Sequence, residues 1–155
     1  MTIAALPYVD EHTMIVAADP DALWEGLTEA LDASFGAARS TSYARLVGCA
    51  DVRASGPRPL AEGSTLPGFR VEAADRGREL VLIGRHRYSI YALTLHIDEA
   101  GPGRYLLRAE TRAAFPGLSG RLYRRLAIGT GGHAMGIRRL LASIRDRAER
   151  PRPSA

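Results

Sequence analysis

The chain of 155 residues contains no lysine, so all 21 of its basic residues are arginine. It has one cysteine, Cys49, which excludes a disulfide within the chain and points to a reducing compartment. No uncharged run approaches the ~18 residues that a membrane-spanning helix needs. The opening Met1-Thr2-Ile3-Ala4-Ala5-Leu6-Pro7 lacks the basic region and apolar core of a signal peptide. The expected location is therefore the cytoplasm, with no integral membrane association. With so many alanines, the missing lysine reads as the mark of a GC-rich genome rather than selection for bidentate anion binding.

What is present is ordinary for a soluble domain: 46% apolar and 25% charged residues. The length suits one domain with a real core, and we read residues 1–150 as that domain. Residues 151–155, Pro-Arg-Pro-Ser-Ala, read as a disordered tail. The net charge of +4 is unevenly placed, because residues 119–155 hold nine arginines against Asp146 and Glu149. We read this excess as a solvated helix face and basic tail in preference to a contact with anionic lipid or nucleic acid, since the aromatic interleaving of single-strand binders is missing.

His12 to Ala18 is rich in β-branched and apolar residues and reads as a first strand. Asp19-Pro20 then opens a helix, with Asp19 as N-cap and Pro20 at the first helical position. A second helix is expected over about 34–46. Turn signals fill 50–68, among them Ser55-Gly56-Pro57 and Pro67-Gly68. Strands follow in close order: Phe69 to Ala73, Leu80 to Ile83, Tyr91 to Ile97 and Tyr105 to Ala113. In the last of these the odd positions Tyr105, Leu107, Ala109, Thr111 and Ala113 face inward against a mostly charged other face. Short turns make these strands antiparallel.

The segment Ser119–Glu149 reads as one long amphipathic helix whose stripe includes Leu122, Leu126, Ile137, Leu140, Leu141 and Ile144. Gly129, Gly131, Gly132 and Gly136 interrupt it, at ~1 kcal/mol each in a helix interior. A helix of that length would span roughly 46 Å, more than a small sheet needs, so a kink or break is expected near Gly129–Gly132. Gly129, His133 and Gly136 fall on the inner stripe, which suggests a cavity beneath the helix with His133 facing into it.

This order of elements, with Ala18-Asp19-Pro20-Asp21-Ala22-Leu23-Trp24 at the first helix, resembles the START-like, Bet v 1-like superfamily (SRPBCC; polyketide cyclase/dehydrase and lipid transport type). Glu62-Gly63-Ser64-Thr65 and Glu79-Leu80-Val81-Leu82 are similar to its second and third strands. Asp19 and Leu23 stand where the family more often has proline and valine. The resemblance spans about 10–149 and implies an α+β helix-grip fold. In that fold a curved antiparallel sheet wraps around a long C-terminal helix, with two short helices after the first strand. It also implies a cavity for an apolar molecule and leaves activity open.

The search for chemistry excludes more than it finds. Gly129-Thr130-Gly131-Gly132-His133-Ala134 matches the dinucleotide pattern but lacks the strands and the acid that the pattern needs. Gly117-Leu118-Ser119-Gly120 is one residue short of a nucleophile elbow, and Ser119 reads as a helix cap. His12, His86, His96 and His133 show no metal-ligand spacing, so no metal and no cofactor are expected. The candidate ligand-binding residues are His133, Tyr91, Tyr105, Leu93, Leu107, Ala109, Thr111, Gly129, Gly132, Gly136 and Ile137. Arg85, Arg87 and Tyr88, at a hairpin tip with His86, form a candidate entrance that could meet a carboxylate or phosphate.

The function expected is non-covalent binding of a hydrophobic or amphipathic small molecule, lipid or polyketide-like, between sheet and C-terminal helix. The alternative is a cyclase or dehydratase in the same cavity, with His133 the candidate catalytic residue and Tyr91 or Tyr105 its partner. A third reading is an interaction protein docking through its basic C-terminal helix on a partner or membrane. The sequence leaves the oligomeric state open.

Overall fold

The computed structural model describes residues 3–36 and 38–151. A short 3-10 turn at Ile3–Ala5 precedes β1 (Tyr8–Ala17), α1 (Pro20–Phe35) and α2 (Ala38–Val47). Five strands follow: β2 (Thr65–Leu66), β3 (Phe69–Asp75), β4 (Glu79–His86), β5 (Ser89–Gly101) and β6 (Arg104–Ala114). Two helices close the chain, α3 (Gly117–Ala127) and α4 (Gly132–Glu149). Apart from Pro151, the expected tail lies outside the described residues.

The strands form one curved antiparallel sheet in the order β1-β6-β5-β4-β3-β2. β1 pairs with β6, so Met14 faces Leu107 and His12 faces Ala109 across the edge. The inward parity expected of β6 is present, with Leu107, Ala109, Thr111 and Ala113 all buried. β1 starts four residues earlier than the sequence suggests, because Tyr8 and Asp10 continue the ladder to Arg112 and Thr111 across a bulge.

α1 begins as expected. The Asp19 carboxylate accepts from the Ala22 N–H at 3.0 Å, and Pro20 opens the helix. Its buried face, including Leu23, Leu27 and Leu31, meets Leu140, Leu141, Ile144 and Ala148 of α4 in a single apolar core with the sheet. Gly26 allows the two helices to approach closely: a Cβ there would lie 3.0 Å from the Ala148 nitrogen and 3.2 Å from the Ile144 oxygen. α2 starts later than expected, at Ala38, because α1 runs on to Phe35.

In the C-terminal segment the expected kink or break is a full break between two helices. Gly131 takes a left-handed backbone (φ 78°) as the N-cap of α4, a conformation that suits glycine. The break falls where the glycines suggested it, but their orientation differs. Gly129, Gly132 and Gly136 are exposed, as are Leu122 and Leu126. The expected stripe assumed one continuous helical phase, and the break resets that phase, so only its second half (Ile137, Leu140, Leu141, Ile144) points inward. Ser119 does not cap: α3 begins at Gly117, after Pro116, with no side-chain cap.

Two substitutions follow from these environments. Gly136 lies inside α4 with open space where a Cβ would go, so Gly136→Ala should stabilise by up to ~1 kcal/mol through helix propensity. Gly26→Val, forced against the α4 backbone, should destabilise by ~1–3 kcal/mol. Urea midpoints measure both; a loss at Gly136 or no loss at Gly26 would contradict this helix packing.

Candidate functional site

The helix break divides the concave face of the sheet. α4 and α1 fill the half over Leu107 and Ala109, both fully buried in the core. The other half, over Leu93, Thr111 and Ala113, is covered by α2 and α3 less completely, and a cavity of about 500 Å³ remains. Its walls come from every layer: Phe35 ends α1, Tyr43 is on α2, His86 on β4, Tyr91 on β5, Tyr123 on α3, and His133 opens α4. Aromatics are only 6% of the chain, yet all three phenylalanines and three of the six tyrosines line this space.

The rings form a continuous series. Phe35 and Phe69 have centroids 4.8 Å apart, Phe69 and Tyr91 5.3 Å, Tyr91 and His86 5.5 Å, and His86 and Tyr123 4.7 Å. Most of these contacts are tilted or edge-on, the arrangement that aromatic quadrupoles favour. Gly84 makes the series possible. It sits opposite Tyr91 across the ladder, and a Cβ there would collide with the Tyr91 ring and the Gly68 oxygen.

Protein partners hold most of the polar groups in the cavity. Burial pushes the Tyr91 and Tyr123 phenols up, so both stay protonated. The Tyr91 hydroxyl donates to the Gly68 carbonyl and lies 3.8 Å from Cys49 Sγ, a thiol also pushed up mainly by burial. Tyr123 shares a hydrogen bond with the Tyr43 hydroxyl, linking α3 to α2. Burial lowers the pKa of His86 and keeps its imidazole neutral. Its Nδ1 accepts the Tyr88 backbone N–H at 3.1 Å, which puts the ring proton on Nε2. His86 is therefore a hydrogen-bond donor at Nε2.

His133 lines the opposite part of the cavity. Its Nε2 is 3.0 Å from Thr111 Oγ1 and 3.4 Å from Asp10 Oδ1, while the other Asp10 oxygen meets His12 Nε2 at 3.1 Å. Asp10 Oδ1 is buried and accepts no hydrogen bond. The carboxylate thus stands between the histidines of β1 and α4. Among the described residues no group of three His, Cys, Asp or Glu side chains could hold a metal ion.

Of the residues singled out from the sequence, His133, Tyr91, Leu93, Thr111 and Ile137 line the cavity. Tyr105, Leu107, Ala109, Gly129, Gly132 and Gly136 do not. The first three lie under α4, where the core is filled, and the glycines face away from the sheet. Arg85 and Arg87 are exposed. Arg85 belongs to a groove on the other face of the sheet, with Asp51, Arg70 and Glu72, because β4 alternates. Arg87 lies against Gly48. Tyr88 stacks on Tyr123 from outside, with centroids 5.6 Å apart. Tyr43, Cys49 and Tyr123 were not singled out as site residues, and His86 was named only at the hairpin tip of the entrance. For His86 a signal existed: it shares the inward parity of Leu80 and Leu82. The helical tyrosines gave none.

No family model and no curated protein matches the chain. Solved structures do. Norcoclaurine synthase from Thalictrum flavum superposes with a TM-score of 0.55 at 10% identity, over 95% of this chain and 98% of that one. CalU16 from Micromonospora echinospora gives 0.53 at 17% identity, over 96% and 85%. The di-domain ARO/CYC StfQ of the steffimycin biosynthetic pathway gives 0.54 at 13% identity, over 90% of this chain and half of that one. The fold is START-like, of the Bet v 1 type. At these identities the likeness concerns the fold alone. The START-like sheet is shared, while the aromatic lining described above is read from this chain's own residues.

The neutral state of His86 can be tested by NMR titration, in which its imidazole should titrate below the ordinary 6.5. Above 6.5 the folded and unfolded histidines are both neutral and contribute nothing to pH dependence. As pH falls below 6.5 the unfolded state takes up the proton first, so stability drops until the lower folded pKa is reached. His86→Gln should reduce that acid slope. Titration of His86 at or above 6.5 would contradict its burial as a neutral donor.

Proposed function

We propose that the protein binds a hydrophobic or amphipathic small molecule non-covalently in the cavity between the sheet and α2, α3 and α4. One observation carries this reading: a space of about 500 Å³ whose walls are mostly apolar and aromatic, with a few polar groups. That size lies within the range of small-molecule sites, in which apolar burial supplies affinity and a few polar groups set orientation. Among the described residues no guanidinium lines the cavity to meet a ligand carboxylate. A neutral, flat molecule with an oxygen acceptor fits best. Its rings would lie on Phe69, Tyr91 and Phe115, and its oxygen would take a hydrogen from His86 Nε2 or from the Tyr43–Tyr123 hydroxyl pair.

Binding is preferred to cyclisation or dehydration because the candidate proton carriers are committed elsewhere. Tyr91 gives its proton to Gly68, His133 Nε2 faces Thr111 and Asp10, and Tyr105 lies under α4 outside the lining. The fold is one that the chain shares with norcoclaurine synthase and with an ARO/CYC, so it accommodates either use.

Ala113 is a small buried residue on the cavity floor. Ala113→Phe should fill the space, cutting uptake of an apolar fluorescent probe at least ~10-fold, as loss of a small ligand's apolar contacts does. Circular dichroism should show the fold retained. Native mass spectrometry of the wild type from its own host should show a co-purifying small molecule. Absence of both a bound molecule and probe uptake in the wild type would overturn the reading.

A further inference from the structure

α3 has three sides. Gly120, Tyr123 and Ala127 face the protein: a Cβ at Gly120 would meet the Phe115 backbone, and Tyr123 and Ala127 line the cavity. Leu118, Leu122 and Leu126 recur every four residues along a second side and are 81%, 60% and 62% exposed. Arg121, Arg124 and Arg125 are exposed next to that leucine row. None of the three forms an ion pair among the described residues. Arg124 instead stands 5.4 Å from the centre of the Phe115 ring. Gly120 is the only buried residue of the helix. Exposing three leucines in a row on so lightly anchored a helix calls for a partner in which leucine is stable.

We propose that this outer face of α3 seats on an anionic lipid surface. Two observations select that partner. No acidic residue occurs between Glu110 and Asp146. Of the seven arginines in that stretch Arg112 and Arg145 pair with acids, while Arg121, Arg124 and Arg125 on α3 itself have no acid partner among the described residues, so α3 complements phosphate-bearing headgroups. An apolar row bordered by arginine on one helix is the pattern of a segment lying in the membrane interface, with leucines among acyl chains and guanidiniums at headgroup level. Nucleic acid would satisfy the arginines but leave the leucines in water. A second copy docked through the same face would bring six α3 arginines together with no acid on either helix. The leucine row also revises the reading of the basic segment as solvated surface only, since that reading placed Leu122 and Leu126 inside. Because the inner side of α3 is a wall of the cavity, a seated helix would hold the cavity beside the bilayer. The association is peripheral, as no helix among the described residues is long and apolar enough to cross a membrane.

The test is vesicle flotation of the full chain with phosphatidylcholine vesicles, with and without phosphatidylglycerol. Wild type should float with the anionic vesicles only, and added salt should weaken the association. Leu122→Asp, at an exposed position, should keep the fold and lower flotation at least ~10-fold. Arg121→Gln with Arg125→Gln should also lower it. No flotation of wild type overturns the proposal. So does flotation that depends on the arginines but not on Leu122, which is simple adsorption. Equal affinity for duplex DNA, unaffected by Leu122→Asp, also overturns it. A dimer in light scattering that Leu122→Asp dissociates assigns the face to a second copy and overturns it as well. Probe uptake without vesicles reports on the cavity separately, so either reading can fail alone.

Discussion

Everything at the candidate site depends on the break between Ala127 and Gly132. An uninterrupted helix would lie along the concave sheet and bury its apolar stripe from end to end. The break limits α4 to the half of the sheet over Leu107 and Ala109, where it packs with α1 through the close approach at Gly26. The other half cannot be filled by α4, and α3 leaves at a new phase with only Gly120 buried. The cavity is therefore a direct result of where regular hydrogen bonding stops.

That cavity differs from an unfilled void in its lining. Low aromatic content makes the concentration of rings around it notable, and each ring is held by a neighbour: Tyr91 by Gly68 and the missing side chain at Gly84, Tyr123 by Tyr43 and Tyr88, His86 by the Tyr88 N–H. Rings fixed in this way lose little freedom when a ligand arrives, which favours affinity through preorganisation. The Asp10 carboxylate lies behind His133 and between two histidines. A neutral ligand of the kind proposed would meet mainly aromatic rings and hydrogen-bonding dipoles.

The fold was legible in the sequence because its signals are local. Asp19-Pro20 marks a helix start through cap chemistry, and the alternation in 105–113 marks a strand through a period of two. Gly101-Pro102-Gly103 marks a turn, expected over Asp98–Gly103 but tighter in the structure because β5 runs on to Gly101, and antiparallel order follows. Within the site, Thr111 and Leu93 were recoverable from strand parity and His133 from the helical spacing to Ile137 and Leu140. The remainder was hidden for physical reasons. Leu122 and Leu126 share a stripe with Leu140 only if helical phase runs on through Gly131, and a left-handed cap cannot preserve it. Tyr43 and Tyr123 lie on short helices whose packing is set by tertiary contacts, and the bond between them crosses 80 residues of sequence. Likewise Asp10 meets His133 only once β1 has paired with β6.

The central claim is that a ligand occupies the aromatic half of the concave face. It is tested most directly by two-dimensional NMR of the labelled protein titrated with a flat neutral phenol such as 2-naphthol. The account predicts saturable shifts confined to residues around Phe35, His86, Tyr91, Thr111 and Tyr123, with the Leu107 and Ala109 region unmoved. Shifts centred on the outer groove of Asp51, Arg70 and Arg85, or none at saturating phenol, would contradict it.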